Sequence, residues 1–292
     1  TSVSRGQFLM QVAQEMKVQK KLLAKCVSVE TGKKLSDAMG EVNAAIMQAE
    51  YFASEGMRFH GKSMNSSISG KTSFTIRQPH GVAALIVPAN TPIANIAWKV
   101  FPALICGNTA ILKSSEDAPE TANLFAKIAK KAGLPNGVLN IIHGYGNEAG
   151  SAITNHSMIK VISFTGSTNV GKVIARSAAD RLARVSLELG GKNPFIVCDD
   201  ADLEKAAEWA VLSAFSNAGQ RCASGSRIIV FKNVYKKFKE KFVSKTKSLK
   251  LGVNPSCDVG PVINSNQLIN ILNAIKTARA HNGKVLCGGK RA

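Results

Sequence analysis

The chain has 292 residues, 45% of them hydrophobic, which suffices for about two domains of ordinary size around a genuine core. Thirty-eight Lys plus Arg against nineteen Asp plus Glu give a formal net charge of +19, a field that draws anionic partners without identifying any one of them. No window approaches the ~20 apolar residues of a membrane span, and the six scattered cysteines (Cys26, Cys106, Cys198, Cys222, Cys257, Cys287) form no CxxC or CxxxC pair. These features argue against a membrane span, a metal site and a disulfide framework, and favour a reducing compartment, the cytoplasm.

In chain order, apolar positions at helical intervals over residues 4–26 and 34–57 predict two long helices separated by the breaker Thr31-Gly32. The polar, β-branched stretch 66–76 predicts an exposed strand or arm. From Gly81 onward short apolar runs alternate with amphipathic stretches. Strands are predicted at 82–87, 109–112, 138–142, 161–164 and 185–187, with helices at 93–104, 119–132, 148–154 and 170–179. Repeated strand–helix–strand units require parallel pairing with helices on both faces, an α/β doubly wound sheet whose ligands sit beyond the carboxyl ends of its strands. After Gly190-Gly191, a natural hinge, the pattern restarts with a strand at 194–197, a helix at 203–215, a strand at 227–231 and helices at 234–249 and 267–281. The lysines of 236–250 fall between apolar residues at helical spacing, so a solvated helix face is expected there rather than a binding patch. The chain starts at Thr1 in a helical pattern and reaches Gly288-Gly289 as if in mid-domain, so both ends are expected to be cut, and the lack of a targeting segment carries little weight for the parent protein.

The segment Phe164 to Gly171 follows a strand and opens a helix, so its free N–H groups and the helix dipole can receive a pyrophosphate. Its glycine spacing is not the usual dinucleotide fingerprint, and a Gly-bounded turn capped by Ser167 or Thr168 is the plainer alternative. Lys113 and Glu116 close another predicted strand, where they can either bond a ribose hydroxyl or merely be solvated. Cys222, after Gly219-Gln220-Arg221, is either a small buried hydrophobe or a thiolate nucleophile. Glu188 is either a water-activating base or a surface ion-pair partner. Asn90, between Pro88 and Pro92, is either a turn residue or a donor to an oxyanion.

The ordered set Pro88-Ala89-Asn90, Trp98-Lys99, Gly107-Asn108, Leu112 to Glu116, Gly133-Leu134-Pro135, Phe164 to Thr168, Leu187 to Lys192, Asn217 to Cys222 and Asp258 to Pro261 resembles the NAD(P)-dependent aldehyde dehydrogenase superfamily over essentially the whole chain. The resemblance implies a dinucleotide-binding domain at 1–189, with its exposed arm at about 66–78, and a partial catalytic domain at 190–292 that carries the nucleophile. It implies that Cys222 attacks the aldehyde and that Asn90 and the Cys222 N–H hold the oxyanion. Glu188 would activate the water that hydrolyses the thioester, and Lys99 would relay the proton. Lys113, Glu116, Gly166, Ser167, Gly171 and Leu189 would bind the cofactor, NAD in preference to NADP because of Glu116.

Departures are also legible. The family's acidic-Ile-Phe-Gly-Pro motif and oligomer-forming strand would lie beyond Ala292, so a protein ending there is expected to lack activity. Ala89 stands where a bulky aromatic commonly precedes the Asn, an expected change to the aldehyde tunnel. Two rival readings are a coenzyme A-acylating relative, disfavoured by Glu188, and an inactive relative that binds nucleotide or RNA. The expected partners are an aldehyde, anionic if Arg221 serves it, and a second copy of the chain in a homodimer or homotetramer, with no membrane and no nucleic acid.

Overall fold

The computed structural model describes residues 1–253 and 256–292. The chain divides into two compact units, one made of Thr1–Cys26 and Met39–Glu188, the other of Val27–Ala38 and Leu189–Ala292. The sequence reading kept residues 27–38 with the first of these. Their company with the second has a steric basis: a Cβ on Gly32 would lie 2.6 Å from the Pro261 ring, and one on Gly260 would lie 2.2 Å from the Gly32 carbonyl oxygen. Gly32, at φ +70°, is also in a conformation that suits glycine.

The chain begins with α1 (Ser2–Val18), α2 (Lys20–Thr31) and α3 (Leu35–Glu55). The single helix predicted at 4–26 is thus two helices, broken at Gln19 with φ −95° and ψ 13°. Its apolar stripe runs through Leu9, Val12, Met16 and Leu23, all buried. Met16 and Leu23 are spaced i,i+7, as in an unbroken helix, so the pattern gives no notice of the break. The predicted arm is a hairpin in which β1 (Ser63–Asn65) pairs antiparallel with β2 (Thr72–Phe74), exposed at every position.

The sheet of the first unit is built from β3 (Val82–Ile86), α4 (Pro92–Ile105), β4 (Thr109–Lys113), α5 (Pro119–Lys131) and β5 (Leu139–Ile142). It continues through a π-helical turn (Gly146–Gly150), α6 (Ser151–Asn155), β6 (Ile159–Gly166), α7 (Thr168–Ala179) and β7 (Arg184–Leu189), whose last residue opens the second unit. The strand order is β5-β4-β3-β6-β7, with β3 parallel to β4 and β6, and β4 parallel to β5. Ala83 to Ile86 are all buried, the unbroken apolar run of a strand covered on both faces. The chain steps outward from β3 to β5 and then, in the opposite direction, from β6 to β7, so the order reverses between β3 and β6; right-handed crossovers, the rule for such units, would put α4 and α5 on one face and α7 on the other. Asn108 secures the entry to β3: its Oδ1 accepts from His80 N at 2.8 Å and Gly81 N at 3.1 Å, while its Nδ2 donates to Ala103 O at 3.1 Å.

In the second unit β8 (Asn193–Val197) runs parallel to β9 (Gly225–Val230), with α8 (Leu203–Phe215), a 3-10 turn (Ser216–Gly219), α9 (Tyr235–Lys247) and α10 (Ser265–Ala280). Asp202 caps α8 by accepting from Glu204 N and Lys205 N. Val197, Ala207, Ala210 and Phe238 form a buried cluster against Leu203, Ile228, Val230 and Phe242. The lysine-rich α9 turns Phe238 inward, and Lys241 and Lys245 pair with Glu204 at 2.7 and 2.5 Å, Lys245 also with Glu208 at 3.2 Å. Two lysines of α9 are therefore paired locally with the carboxylates of α8. No helix among the described residues is long and apolar enough to cross a membrane.

Candidate active site

In the first unit the segments after β3 and β6 flank the point where the strand order reverses, the place at which open α/β sheets receive ligands. After β3, Asn90 is half-buried and its Oδ1 accepts from Thr91 N at 2.9 Å, so the side chain is held by the turn that opens α4. After β6, Ser167 is the N-cap of α7; its Oγ accepts from Val170 N at 3.3 Å, and Ser167 O accepts from Gly171 N at 3.0 Å. The first turn of α7 carries no acidic residue to compete for its positive end. A Cβ on Gly166 would lie 2.4 Å from the Phe164 ring, so a larger residue there would have to displace that ring.

Lys113, the last residue of β4, is buried, and its Nζ meets Glu116 Oε2 at 3.1 Å. Burial raises the Glu116 carboxyl, yet its own backbone N–H and the Lys113 ammonium outweigh that and hold it below the usual carboxylate range. The exposed carboxylate therefore stays charged and anchored. Lys99, on α4, is only 5% exposed, and its Nζ donates to Ser163 Oγ at 2.9 Å. Burial pulls its pKa down to about 8, and the negative charge of Glu188 on β7 opposes the fall. Lys99 and Glu188 are thus electrostatic neighbours, and Glu188 itself is exposed.

Leu189 and Cys222 belong to the second unit. Cys222 is exposed with a free thiol. It follows three consecutive left-handed residues, Asn217 (φ 52°), Ala218 (φ 55°) and Gly219 (φ 72°). Only the last is a glycine, so the turn stores conformational strain that its surroundings must hold in place. Gln220 does part of this: its Nε2 donates to Asn217 O at 3.1 Å and its Oε1 accepts from Ile263 N at 2.9 Å. Asn193 Nδ2 donates to the Cys222 carbonyl oxygen, fixing the loop on its other side.

Several supporting residues escape a sequence reading. Ser163 is an unremarked polar residue in an apolar strand, and Asn193 lies just past the Gly190-Gly191 pair, where only its neighbour Lys192 had drawn notice. Ser114, buried beside Lys113, shares a 2.7 Å hydrogen bond with His143 Nδ1, whose Nε2 lies 2.8 Å from Asn123 Oδ1. This chain ties the β4–α5 loop to the end of β5. A lone polar residue inside a strand predicted to be buried on both faces is the one signal that could have marked Ser163; Ser114 lies just past its strand and gives none.

Comparison with known proteins places these features in a family. The profile of the aldehyde dehydrogenase family matches residues 1–292. The chain is 41% identical over 296 residues to alpha-ketoglutaric semialdehyde dehydrogenase of Bacillus subtilis, covering 100% of this chain and 60% of the relative. It is 40% identical over 291 residues to the cytosolic aldehyde dehydrogenase 1 of Mus musculus, covering 98% and 58%. Among solved structures, betaine aldehyde dehydrogenase of Staphylococcus aureus in complex with NAD+ superposes with a TM-score of 0.98 at 33% identity, covering 100% of this chain and 58% of that one. The chain thus spans about three-fifths of the length of these relatives.

Proposed function

The chain belongs to the aldehyde dehydrogenase family, and from that membership we propose that the intact protein oxidises an aldehyde to a carboxylic acid with Cys222 as nucleophile and Glu188 as hydrolytic base. The observation that supports this reading is that Asn90 and the Ser167-capped turn follow the two strands that flank the reversal of strand order, while Lys99 and Glu188 are electrostatic neighbours in the same unit.

Residues of the first unit suit a nicotinamide dinucleotide: a helix with no acidic residue in its first turn, a glycine packed against the Phe164 ring, and an anchored carboxylate beside a buried lysine. Gly166, Ser167 and Gly171 would line the pyrophosphate, Lys113 and Glu116 would take the adenine ribose, and Leu189 completes the set. When bound, the cofactor supplies the acceptor for the aldehyde hydride.

The chain's own residues do the rest. The Cys222 thiolate bonds to the carbonyl carbon while the carbonyl π electrons move onto oxygen, and the Asn90 amide and Cys222 N–H stabilise that oxyanion. Loss of hydride leaves a thioester on Cys222. Glu188 then removes a proton from water as the water oxygen adds to the thioester carbonyl; the carbon–sulfur bond breaks, the thiolate leaves and the acid departs. Lys99 accepts the proton from Glu188. Glu188 favours hydrolysis over transfer to coenzyme A, and Arg221, exposed beside the nucleophile, favours an anionic aldehyde.

The test uses the intact protein and follows cofactor reduction by absorbance. Cys222→Ala is expected to cost at least about a thousandfold in kcat, and the product is expected to be free acid with or without coenzyme A. Arg221→Gln is expected to raise KM for anionic aldehydes roughly tenfold while sparing neutral ones. Undiminished turnover by Cys222→Ala, or product formed only with coenzyme A, contradicts the reading; equal effects of Arg221→Gln on both aldehyde classes contradict the substrate preference.

A further inference from the structure

Lys99 lies on a helix whose neighbouring positions Ile96, Ala97, Val100 and Phe101 are buried, so its amine sits where a charge is costly. From β6 it meets the Ser163 hydroxyl, which accepts from Nζ at 2.9 Å. From β7 the negative charge of Glu188 bears on it. Ser163 pairs in register with Leu85 of β3, and along β6 the alternate residues Ile162 and Phe164 are buried while Val161, Ser163 and Thr165 are half-buried on the other side. Ser163 is thus the polar group that β6 offers to the buried amine.

We propose that Ser163 is a positioning residue for the hydrolytic step: its hydroxyl holds the Lys99 amine toward Glu188, so that the neutral amine receives the proton that Glu188 takes from water. The proposal rests on the hydrolytic reading of Glu188. In proton terms, the attacking water gives one proton to the Glu188 carboxylate, the carboxylic acid passes it to the Lys99 nitrogen lone pair, and the resulting ammonium donates a hydrogen bond to Ser163 Oγ. The Lys99 pKa of about 8 sets the sign. Above that pH the amine is neutral and can accept; below it the amine is already protonated. The hydrolytic rate is therefore expected to rise with pH through about 8. The ammonium, a charge-assisted donor, gains more from the Ser163 oxygen than the neutral amine does, so removing that oxygen moves the titration midpoint down.

The experiment is a carbon-13 NMR titration of the lysine Cε signals in the intact protein, without aldehyde or cofactor, with Lys99 assigned by its loss in Lys99→Arg. Ser163→Ala is expected to lower the Lys99 midpoint by roughly one pH unit, and Ser163→Thr, which keeps the hydroxyl, to leave it in place. The acid limb of the thioester-hydrolysis rate should move in parallel in Ser163→Ala and stay put in Ser163→Thr. An unchanged Lys99 midpoint in Ser163→Ala overturns the proposal, as does a shifted midpoint with an unmoved rate profile. Full turnover by Glu188→Gln instead overturns the hydrolytic reading, a failure the cofactor-free titration separates from the first.

Discussion

At the scale of single residues, the structure separates groups that merely look functional from groups held in place by their surroundings. Glu116 is exposed, yet its carboxylate is tied to the buried Lys113 at 3.1 Å and kept below the ordinary carboxylate range. A fixed negative charge at a ribose site repels a 2′-phosphate. Glu116→Gln is accordingly expected to raise the ratio of kcat/KM for NADP to that for NAD by roughly tenfold, the size of one nearby partly screened charge. Steady-state kinetics with both cofactors checks this, and an unaltered ratio would mean that the carboxylate does not meet the ribose. The amino-acid string offered Lys113, Glu116, Glu188 and Cys222 because their chemistry is visible in their type. It did not offer Ser163 or Gln220, whose importance comes from what they touch: a buried amine in one case, the backbone of a left-handed turn in the other.

At the scale of elements, agreement was best where local and tertiary preferences coincide. α8 occupies the predicted 203–215 because Asp202 caps its start and its apolar face packs on β8 and β9. α9 was legible for the same reason: its lysines face outward and Phe238 faces in, 3% exposed. Phe238→Ala should cost about 3–5 kcal/mol of stability in that unit, whereas Lys237→Ala, on the exposed face, should stay within about 0.5 kcal/mol. Denaturant unfolding monitored by circular dichroism measures both; similar midpoints for the two variants would mean that the Phe238 cluster is not the core of that unit. The break at Gln19 and the pair Asn217–Ala218 were not legible. The first leaves the apolar period intact, and the second places Ala218 beside Asn217 at positive φ, a conformation that Asn tolerates but that no preference of Ala foretells.

At the scale of the whole molecule, alternating strands and helices were enough to specify a doubly wound sheet, because parallel neighbours require crossovers and crossovers have one hand. Composition could not show that residues 27–38 join the second unit, since that depends on the close approach of Gly32 to Gly260 and Pro261. The carboxylates are unevenly shared: Glu204 and Glu208 pair with Lys241 and Lys245, Glu50 with Lys17 and Glu15 with Lys131, and the net +19 is what remains after every acid is counted. The proposed chemistry needs two side chains from different parts of the sequence to act in turn, Cys222 first and Glu188 second. The direct measurement is mass spectrometry of the intact Glu188→Gln variant, quenched after mixing with aldehyde and NAD. The expected result is one equivalent of reduced cofactor per subunit and an acyl mass increment on the peptide carrying Cys222, stalled for want of the base. Continued turnover with no adduct on that peptide, or an acyl group on another cysteine such as the exposed Cys198, would contradict the assignment.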